Sequence, residues 1–239
     1  MTTDPPIMHV DRLDLTFVPQ PWAFAVERRA EIDAWFADLQ RAKPAIWNGR
    51  VLLLHRHEVS AGVLHGAYLE TDYASFAAWR SWGSPEAGVR DCFSAAAIVA
   101  ADGAVLLGVM GPHTFNAGKV YFPCGTPDPD DRVGNRVDLA RSLWRELKEE
   151  TGFAPADFEV APGWVSIKDG PLWPQIKLLR AREDAETLQA RMRAHLARER
   201  QPELSGVHVV RRPDDVTAAM QPYVRAFLQW HFGWAAPAP

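Results

Sequence analysis

Three glutamates stand close together in the segment RELKEETGF, which runs from position 145 to 153. If this segment is helical, Glu146, Glu149 and Glu150 lie at i, i+3 and i+4 and share one face. Like charges at this spacing repel one another, and hard divalent cations such as Mg²⁺ prefer oxygen ligands. Arg145 lies one turn before Glu149 and can orient it. On spacing alone a solvated charged helix is the favoured interpretation, with a metal-binding face as the alternative.

The flanks of these glutamates favour the metal site. The segment resembles the second half of the Nudix box, G-x5-E-x7-R-E-U-x-E-E-x-G-U, where U is aliphatic. The matching positions are Arg145, Glu146, Leu147, Glu149, Glu150, Gly152 and, with an aromatic at the last place, Phe153. A strand, an Asp-Gly turn, a second strand and then Phe122–Gly125 are similar to the family's approach to the box. On this resemblance, which covers residues 92 to 215, the chain is identified as a member of the Nudix hydrolases.

The first half of the box departs from the pattern. Counting back from Arg145 places Val137 at the first glutamate, with Asp138 beside it, and places Asp131 at the glycine position. On this count Gly125 is displaced by an insertion, TPDPDDRVGN. Two alternatives stay open: Asp138 replaces the missing carboxylate, or the site works with fewer ligands. The longer loop could also reshape the mouth of the pocket.

The resemblance implies an enzyme that hydrolyses a nucleoside diphosphate linked to another moiety, X. Water attacks phosphorus while Mg²⁺ or Mn²⁺ holds the pyrophosphate and neutralises its charge. By motif position Glu149 and Glu150 are the strongest metal ligands. Glu146 is a further ligand or helps to activate water, and Arg145 holds the glutamates in place.

A late glutamate is a second candidate for the chemistry. Family members often use an additional glutamate from a late loop or strand as base or ligand, and Glu203 precedes the last predicted strand. No motif fixes this residue. A surface glutamate in a loop is an equal alternative, because a general base must first lie within hydrogen-bond reach of the water.

Several cationic and aromatic residues are candidates for substrate binding. Arg132 and Arg136 belong to the loop before the box helix and could meet phosphate oxygens, although solvated loop residues are the alternative. Trp164 and Trp173 could stack on a base or sugar, although core packing is equally expected.

Composition narrows the function classes further. The 239 residues include 26 basic and 30 acidic side chains, a formal charge of −4, which argues against a nucleic-acid partner. The two cysteines, Cys92 and Cys124, provide no disulfide framework or zinc site, and Cys124 is expected to be a small buried residue. His55, His57 and His65 lie on predicted strands and are expected to be ordinary surface or core residues. The N-terminal sequence resembles no secretory signal, and no apolar run approaches membrane-spanning length. We therefore expect a cytoplasmic protein without a membrane partner.

Hydrophobic periodicity indicates interleaved helices and strands, so the fold class is α/β or α+β. The resemblance implies a Nudix α/β/α sandwich, residues 89–239, preceded by an N-terminal α/β extension, residues 1–88. Asn48-Gly49 predicts a hairpin turn, and residues 126–135 are predicted to form a polar loop. The predicted strands and helices of the extension are strand 8–18, helix 24–43, strands near 50–59 and 64–72, and a helix from 73 to 83.

The extension also bears on the substrate. Its order of elements and its Trp47-Asn48-Gly49 turn are similar to the Nudix branch that hydrolyses UDP-sugars such as UDP-glucose. This resemblance implies a small nucleotide-sugar substrate, with the extension forming part of its pocket. A non-catalytic nucleotide-binding or regulatory protein is the main alternative, and a scaffold with a merely solvated glutamate helix is another. A homodimer stays open.

Overall fold

The fold of the protein, obtained as a computed structural model, is described for residues 5–86 and 88–234. These residues form a mixed α/β structure with two β-sheets, which confirms the predicted fold class. Each sheet receives strands from both halves of the chain.

The larger sheet has nine strands. Its main path runs β1-β12-β13-β5-β6-β14, with β11 on β13, β7 on β6 and β8 on β5. The pairing of β13 with β5 is parallel, whereas the other pairings are antiparallel. The nine strands are β1 (Ile7–Val10), β5 (Ser94–Val99), β6 (Val105–Met110), β7 (Val120–Tyr121), β8 (Cys124–Gly125), β11 (Phe158–Val160), β12 (Trp164–Ile167), β13 (Gln175–Ala181) and β14 (Leu204–Val210).

The smaller sheet has five strands in the order β3-β4-β2-β10-β9. Strands β2 and β4 are parallel, and β3 and β4 form a long antiparallel pair. The five strands are β2 (Arg12–Phe17), β3 (Arg50–Ser60), β4 (Val63–Asp72), β9 (Arg132–Val133) and β10 (Arg136–Val137).

The described residues also form six α-helices, which are α1 (Ala23–Glu27), α2 (Arg29–Ala42), α3 (Tyr73–Ser81), α4 (Leu139–Thr151), α5 (Ala185–Leu196) and α6 (Pro222–Phe232). Apolar residues of α4, α5 and α6 join the core of the large sheet, whereas α1, α2 and α3 share a separate apolar cluster with β3 and β4. No helix among the described residues is long and apolar enough to cross a membrane.

The glutamate segment is helical, as predicted. Helix α4 begins after Asp138, whose side chain accepts hydrogen bonds from the backbone amides of Ala140 and Arg141. It ends at Gly152, which adopts the left-handed conformation (φ 75°) that the glycine after a helix favours. The aspartate and the glycine therefore fix both ends of the helix that carries the three glutamates.

Strands pair across the predicted boundary between residues 88 and 89. Strand β1, from the extension, pairs with β12 of the large sheet. In the other direction, β10 pairs with β2, and Arg136 lies opposite Thr16. The division into two domains stays a prediction, and the described strands show that the two segments are joined by backbone hydrogen bonds.

Two local predictions were wrong. Asn48-Gly49 does not close a hairpin. The turn between β3 and β4 is at Ala61-Gly62, where both residues have positive φ. Residues 126–135 are not a featureless loop. They contain a 3₁₀ turn, Pro129–Asp131, and β9, which pairs with β10.

Candidate active site

A cleft of about 510 Å³ is lined by Glu146 of helix α4. Gly125, Glu146 and Glu203 line it from the large sheet and its helix, whereas Trp47 and Phe76 line it from the extension. This volume lies in the range of small-molecule sites. The cleft therefore brings predicted chemistry residues and residues of the extension to one place.

Glu146 lies against the backbone of Gly125. A Cβ atom at Gly125 would come within 2.3 Å of the Glu146 carboxylate, so only glycine permits this approach. Burial raises the pKa of Glu146 to about 7, Arg145 opposes that shift, and Glu203 and Glu149 add to it. Strand β8 therefore shapes the space in which this carboxylate sits.

Glu150 is almost fully buried, with 3% of its surface exposed. Neither of its carboxylate oxygens meets the geometry of a hydrogen bond with a described residue, although the Cys124 backbone lies near enough to lower its pKa. Burial raises its pKa well above the ordinary value, and the charges of Glu203 and Glu146 raise it further. A buried carboxylate with no partner is costly, so this group calls for a proton or a cation.

Arg145 is the centre of an ion-pair network beside these glutamates. Its guanidinium lies 2.9 Å from the carboxylate of Asp131 and 3.2 Å from that of Asp128. It also lies 2.7 Å from Glu146 and 3.7 Å from Glu149. Although burial acts in the opposite direction, Asp131 and Glu146 raise the pKa of Arg145 above its ordinary value. These contacts match the positioning role that the resemblance implies.

The contact between Arg145 and Asp131 corrects our reading of the first half of the box. Asp131 is fully buried, and it follows Gly125 after five intervening residues, the G-x5-E spacing with aspartate in place of glutamate. The insertion is therefore residues 132–137. Without it, seven residues separate Asp131 from Arg145, as the pattern requires. Counting back from Arg145 failed because the extra residues lie after the acidic position.

The insertion forms β9 and β10, the hairpin that joins the smaller sheet. Val137, at the position first assigned to the missing glutamate, is buried in an apolar cluster with β2 and β4. Asp138 caps helix α4 and is not among the cleft-lining residues. Neither aspartate lines the cleft, and the contact with Arg145 favours Asp131 over Asp138 as the carboxylate of the first half of the box.

The other two acidic candidates lie nearer to solvent. The Glu149 side chain is 62% exposed and faces Arg145. Glu203 lines the cleft immediately before β14, and its charge raises the pKa of both Glu146 and Glu150. Desolvation raises the pKa of Glu203, while His113 lowers it. The structure thus brings Glu203 close enough to the glutamates of α4 for their charges to interact.

The donor set suits a divalent cation. Carboxylate oxygens are the ligands that Mg²⁺ and Mn²⁺ prefer, and the partnerless oxygens of Glu150 are the observation that fits a bound ion. Within the described residues, no three acidic, histidine or cysteine side chains lie close enough to form a ready ligand shell. Ion binding would therefore draw side chains of Glu146, Glu149 and Glu150 together.

The four residues predicted to bind substrate are not among the described residues that line the cleft. Arg132 stacks on Phe17, 3.6 Å from the ring centre, and Arg136 pairs with Asp14 at 2.9 Å. Both arginines belong to the inserted hairpin and face the smaller sheet, which explains why they lie away from the cleft.

The two tryptophans are core residues. Trp173 is buried and donates a hydrogen bond to Ser166, and Trp164 is buried under Lys177. Cys124 is half-buried and lines the cleft, and burial together with Glu150 and Glu146 raises its pKa well above the ordinary value.

Sequence reasoning missed the two arginines that line the cleft, Arg50 and Arg80. Arg80, on α3, lines the cleft and lies 3.0 Å from the carboxylate of Asp91. Asp91 is buried and also accepts a hydrogen bond from Thr126. Burial raises the pKa of Asp91, and Arg80 opposes that shift. No motif marks these residues, because they meet only after the chain folds.

Comparisons with known proteins give distant structural matches. No protein-family model matches the chain, and no curated protein does. A Nudix hydrolase from M. smegmatis, RenU, is 16% identical with a TM-score of 0.38, covering 62% of this chain and 88% of its own.

Two further structures are similar to this chain. The bifunctional NMN adenylyltransferase/ADP ribose pyrophosphatase from Francisella tularensis is 12% identical, with a TM-score of 0.40, and the match covers 64% of this chain and 44% of that one. The C-terminal domain of mouse MUTYH, in complex with human PCNA, is 16% identical with a TM-score of 0.36, covering 62% and 93%. Identities and TM-scores this low do not indicate which reaction the chain catalyses. The side chains of the cleft are the evidence for its function.

Proposed function

We propose that the protein is a divalent-metal-dependent Nudix pyrophosphohydrolase, cleaving a nucleoside diphosphate linked to another moiety to release a nucleoside monophosphate. The observation that carries this proposal is the buried Glu150 carboxylate, which has no hydrogen-bond partner among the described residues and lies on the helix of Glu146 and Glu149. A structural charged helix would expose such groups to solvent. A nucleotide-sugar such as UDP-glucose is the substrate class we propose.

Glu146, Glu149 and Glu150 would hold Mg²⁺ or Mn²⁺. The bound metal would neutralise the charge of the diphosphate, which these carboxylates alone would repel. Gly125 leaves room for the Glu146 carboxylate, and Arg145, fixed by Asp131, holds that carboxylate in place. The contribution of these residues is to position charge before the substrate arrives.

Glu203 is the proposed general base. It lines the same cleft as Glu146, and desolvation raises its pKa toward the range in which a carboxylate accepts protons efficiently near neutral pH. Its carboxylate would take a proton from the water that attacks phosphorus. His113 lowers this pKa and Glu149 raises it, so the surrounding charges act on the base in opposite directions.

The test is a screen of the purified chain with Mg²⁺ against nucleoside triphosphates, nucleotide-sugars, ADP-ribose, dinucleoside polyphosphates and coenzyme A. We expect release of a nucleoside monophosphate from at least one nucleoside diphosphate derivative, and loss of that release in Glu149→Gln. Glu159→Gln, on the exposed strand β11, is the matched control and should retain activity. Absence of turnover with both Mg²⁺ and Mn²⁺ would contradict the proposal.

A non-catalytic nucleotide-binding protein is the second candidate. The observation in its favour is that the described acidic side chains do not form a ready ligand shell. This candidate predicts nucleotide binding that is unchanged in Glu149→Gln, together with an absence of product in the same screen.

A further inference from the structure

Trp47 is an exposed aromatic residue in a cleft. It is 76% exposed and lines the cleft that contains Glu146. Among the tryptophans that the structure describes, Trp230 is the other exposed one, at 49%, and it does not line this cleft. A large apolar ring left in water at the edge of a binding site is unfavourable unless a ligand covers it.

The position of Trp47 is fixed by its neighbours. A Cβ atom at Gly49 would come within 2.9 Å of the indole ring, so the glycine lets the ring lie close to the backbone. The Asn48 side chain accepts a hydrogen bond from the amide of Ala74, and the Gly49 carbonyl accepts one from the amide of Tyr73. These bonds tie the segment after Trp47 to the start of α3, so the backbone next to the ring is held in place.

Other aromatic residues continue this wall. Tyr73 and Phe76 line the cleft from α3, with ring centres 5.9 Å apart, and Phe115 lines it from the loop after β6. Lys43, at the end of α2, donates a hydrogen bond to the carbonyl of Thr114, which ties that loop to the extension. The extension therefore lines the cleft with aromatic residues as well as with Arg50 and Arg80.

The two walls suit different parts of one ligand. The acidic wall, Glu146 and Glu203 with Glu150 behind them, would repel a diphosphate unless cations are bound, and it offers no flat apolar surface. Trp47 offers an exposed flat surface for a planar, uncharged ring, and stacking on such a ring tolerates any base. A nucleotide has both parts, a charged phosphate and a planar base.

We propose that Trp47 is the stacking platform for the base of the bound nucleotide. The inference rests on the proposed function for the identity of the ligand. It adds that the extension binds the nucleoside half of the substrate, whereas the acidic wall binds the diphosphate through cations.

The test compares calorimetric binding of UMP, AMP, ribose 5-phosphate and glucose 1-phosphate, each with Mg²⁺, to the full chain. Ribose 5-phosphate carries the sugar and phosphate of UMP without the base. Trp47→Ala should weaken UMP or AMP binding about fivefold to a hundredfold and leave ribose 5-phosphate binding unchanged. Trp47→Phe should restore most of the affinity, and Trp230→Ala, outside the cleft, should bind like the wild type.

Because binding requires no turnover, the result is independent of whether the chain is a hydrolase. Base-dependent binding that needs Trp47 supports the inference even if the substrate screen is negative. Three results would overturn it: wild-type protein that binds UMP and AMP no better than ribose 5-phosphate, Trp47→Ala that binds them normally, or a loss confined to glucose 1-phosphate. The last result would mean that Trp47 carries the sugar.

Discussion

The two walls of the cleft are built in opposite ways. The acidic wall depends largely on one short segment of sequence, because Glu146 lines the cleft from helix α4 and Glu149 and Glu150 lie within two turns of it. The extension wall is assembled from distant residues, such as Trp47 before β3 and Arg80 at the end of α3. The residues that place several charges at a fixed spacing are close together in the sequence. The residues proposed to contact the rest of the ligand are far apart in the sequence.

The inserted hairpin connects the two walls. Asp131, which holds Arg145, immediately precedes β9, and Asp138, which caps α4, immediately follows β10. The hairpin between them pairs with β2 of the extension. The inserted residues therefore attach the smaller sheet to the chain immediately before helix α4.

Magnesium binding should give the largest contrast between the walls. Saturating Mg²⁺ should raise the melting temperature of the wild-type protein by about 5–10 °C, since a ligand that binds only the folded state stabilises it. Glu150→Gln should remove this shift, because it deletes a buried charge that the ion would neutralise. The metal-free variant should be at least as stable as wild type at pH 8. Differential scanning calorimetry checks both points, and a full Mg²⁺ shift in the variant would contradict the metal assignment.

Asp131 and Asp138 can be compared directly. Asp131→Asn keeps the shape but removes the charge that holds Arg145, so we expect turnover to fall about tenfold to a hundredfold. Asp138→Asn should change turnover less than about threefold, because asparagine is also a good N-cap. Steady-state kinetics on the substrate found in the screen separates them. A larger loss of turnover in the Asp138 variant would show that Asp138, and not Asp131, is the carboxylate of the first half of the box.

Metal-free stability should fall as pH rises from about 4.5 to about 7. Folding raises the pKa of Glu146 to about 7, so the folded state keeps a proton that the unfolded state releases across this window. The effect should be on the order of 2–3 kcal/mol. Urea unfolding without divalent ions at pH 5 and pH 8 measures it.

Glu146→Gln is the control for this pH dependence. Its slope should be shallower, because Glu150 and Glu203 also have raised pKa values and act in the same direction, whereas His55, His57 and His231 have pKa values lowered by burial and act in the opposite direction. Aspartates with lowered pKa values, such as Asp72, act at lower pH and leave this window unaffected. Equal slopes in the variant and the wild type would show that Glu146 does not titrate in this way.

The smallest effect is expected on the surface of the hairpin. Arg136 and Asp14 form a largely exposed ion pair, so Arg136→Ala should leave the urea midpoint of unfolding nearly unchanged. Its kcat should not change, because Arg136 is not among the cleft-lining residues. A large loss of kcat would place this arginine at the substrate, as the sequence first suggested.

Local patterns predicted what depends on local spacing. The box helix, its terminal Gly152 and the strands β3 and β4 could be predicted, because helical periodicity, capping and alternation are properties of neighbouring residues. The alignment of the first half of the box could not be predicted, because the inserted residues are recognised only by their pairing with β2 in the folded chain. The burial of Trp173 could not be predicted for the same reason, because it depends on packing against residues of the smaller sheet that are far away in the sequence.

The most direct test of the division between the walls is to measure kcat and KM for Glu149→Gln and Trp47→Ala on one substrate. The acidic wall should act in the chemical step, so Glu149→Gln should lower kcat by at least about a hundredfold. The extension wall should act in binding, so Trp47→Ala should raise KM about fivefold or more with kcat within about threefold of wild type. An unchanged kcat in Glu149→Gln, or a loss of kcat in Trp47→Ala as large as in Glu149→Gln, would contradict this division.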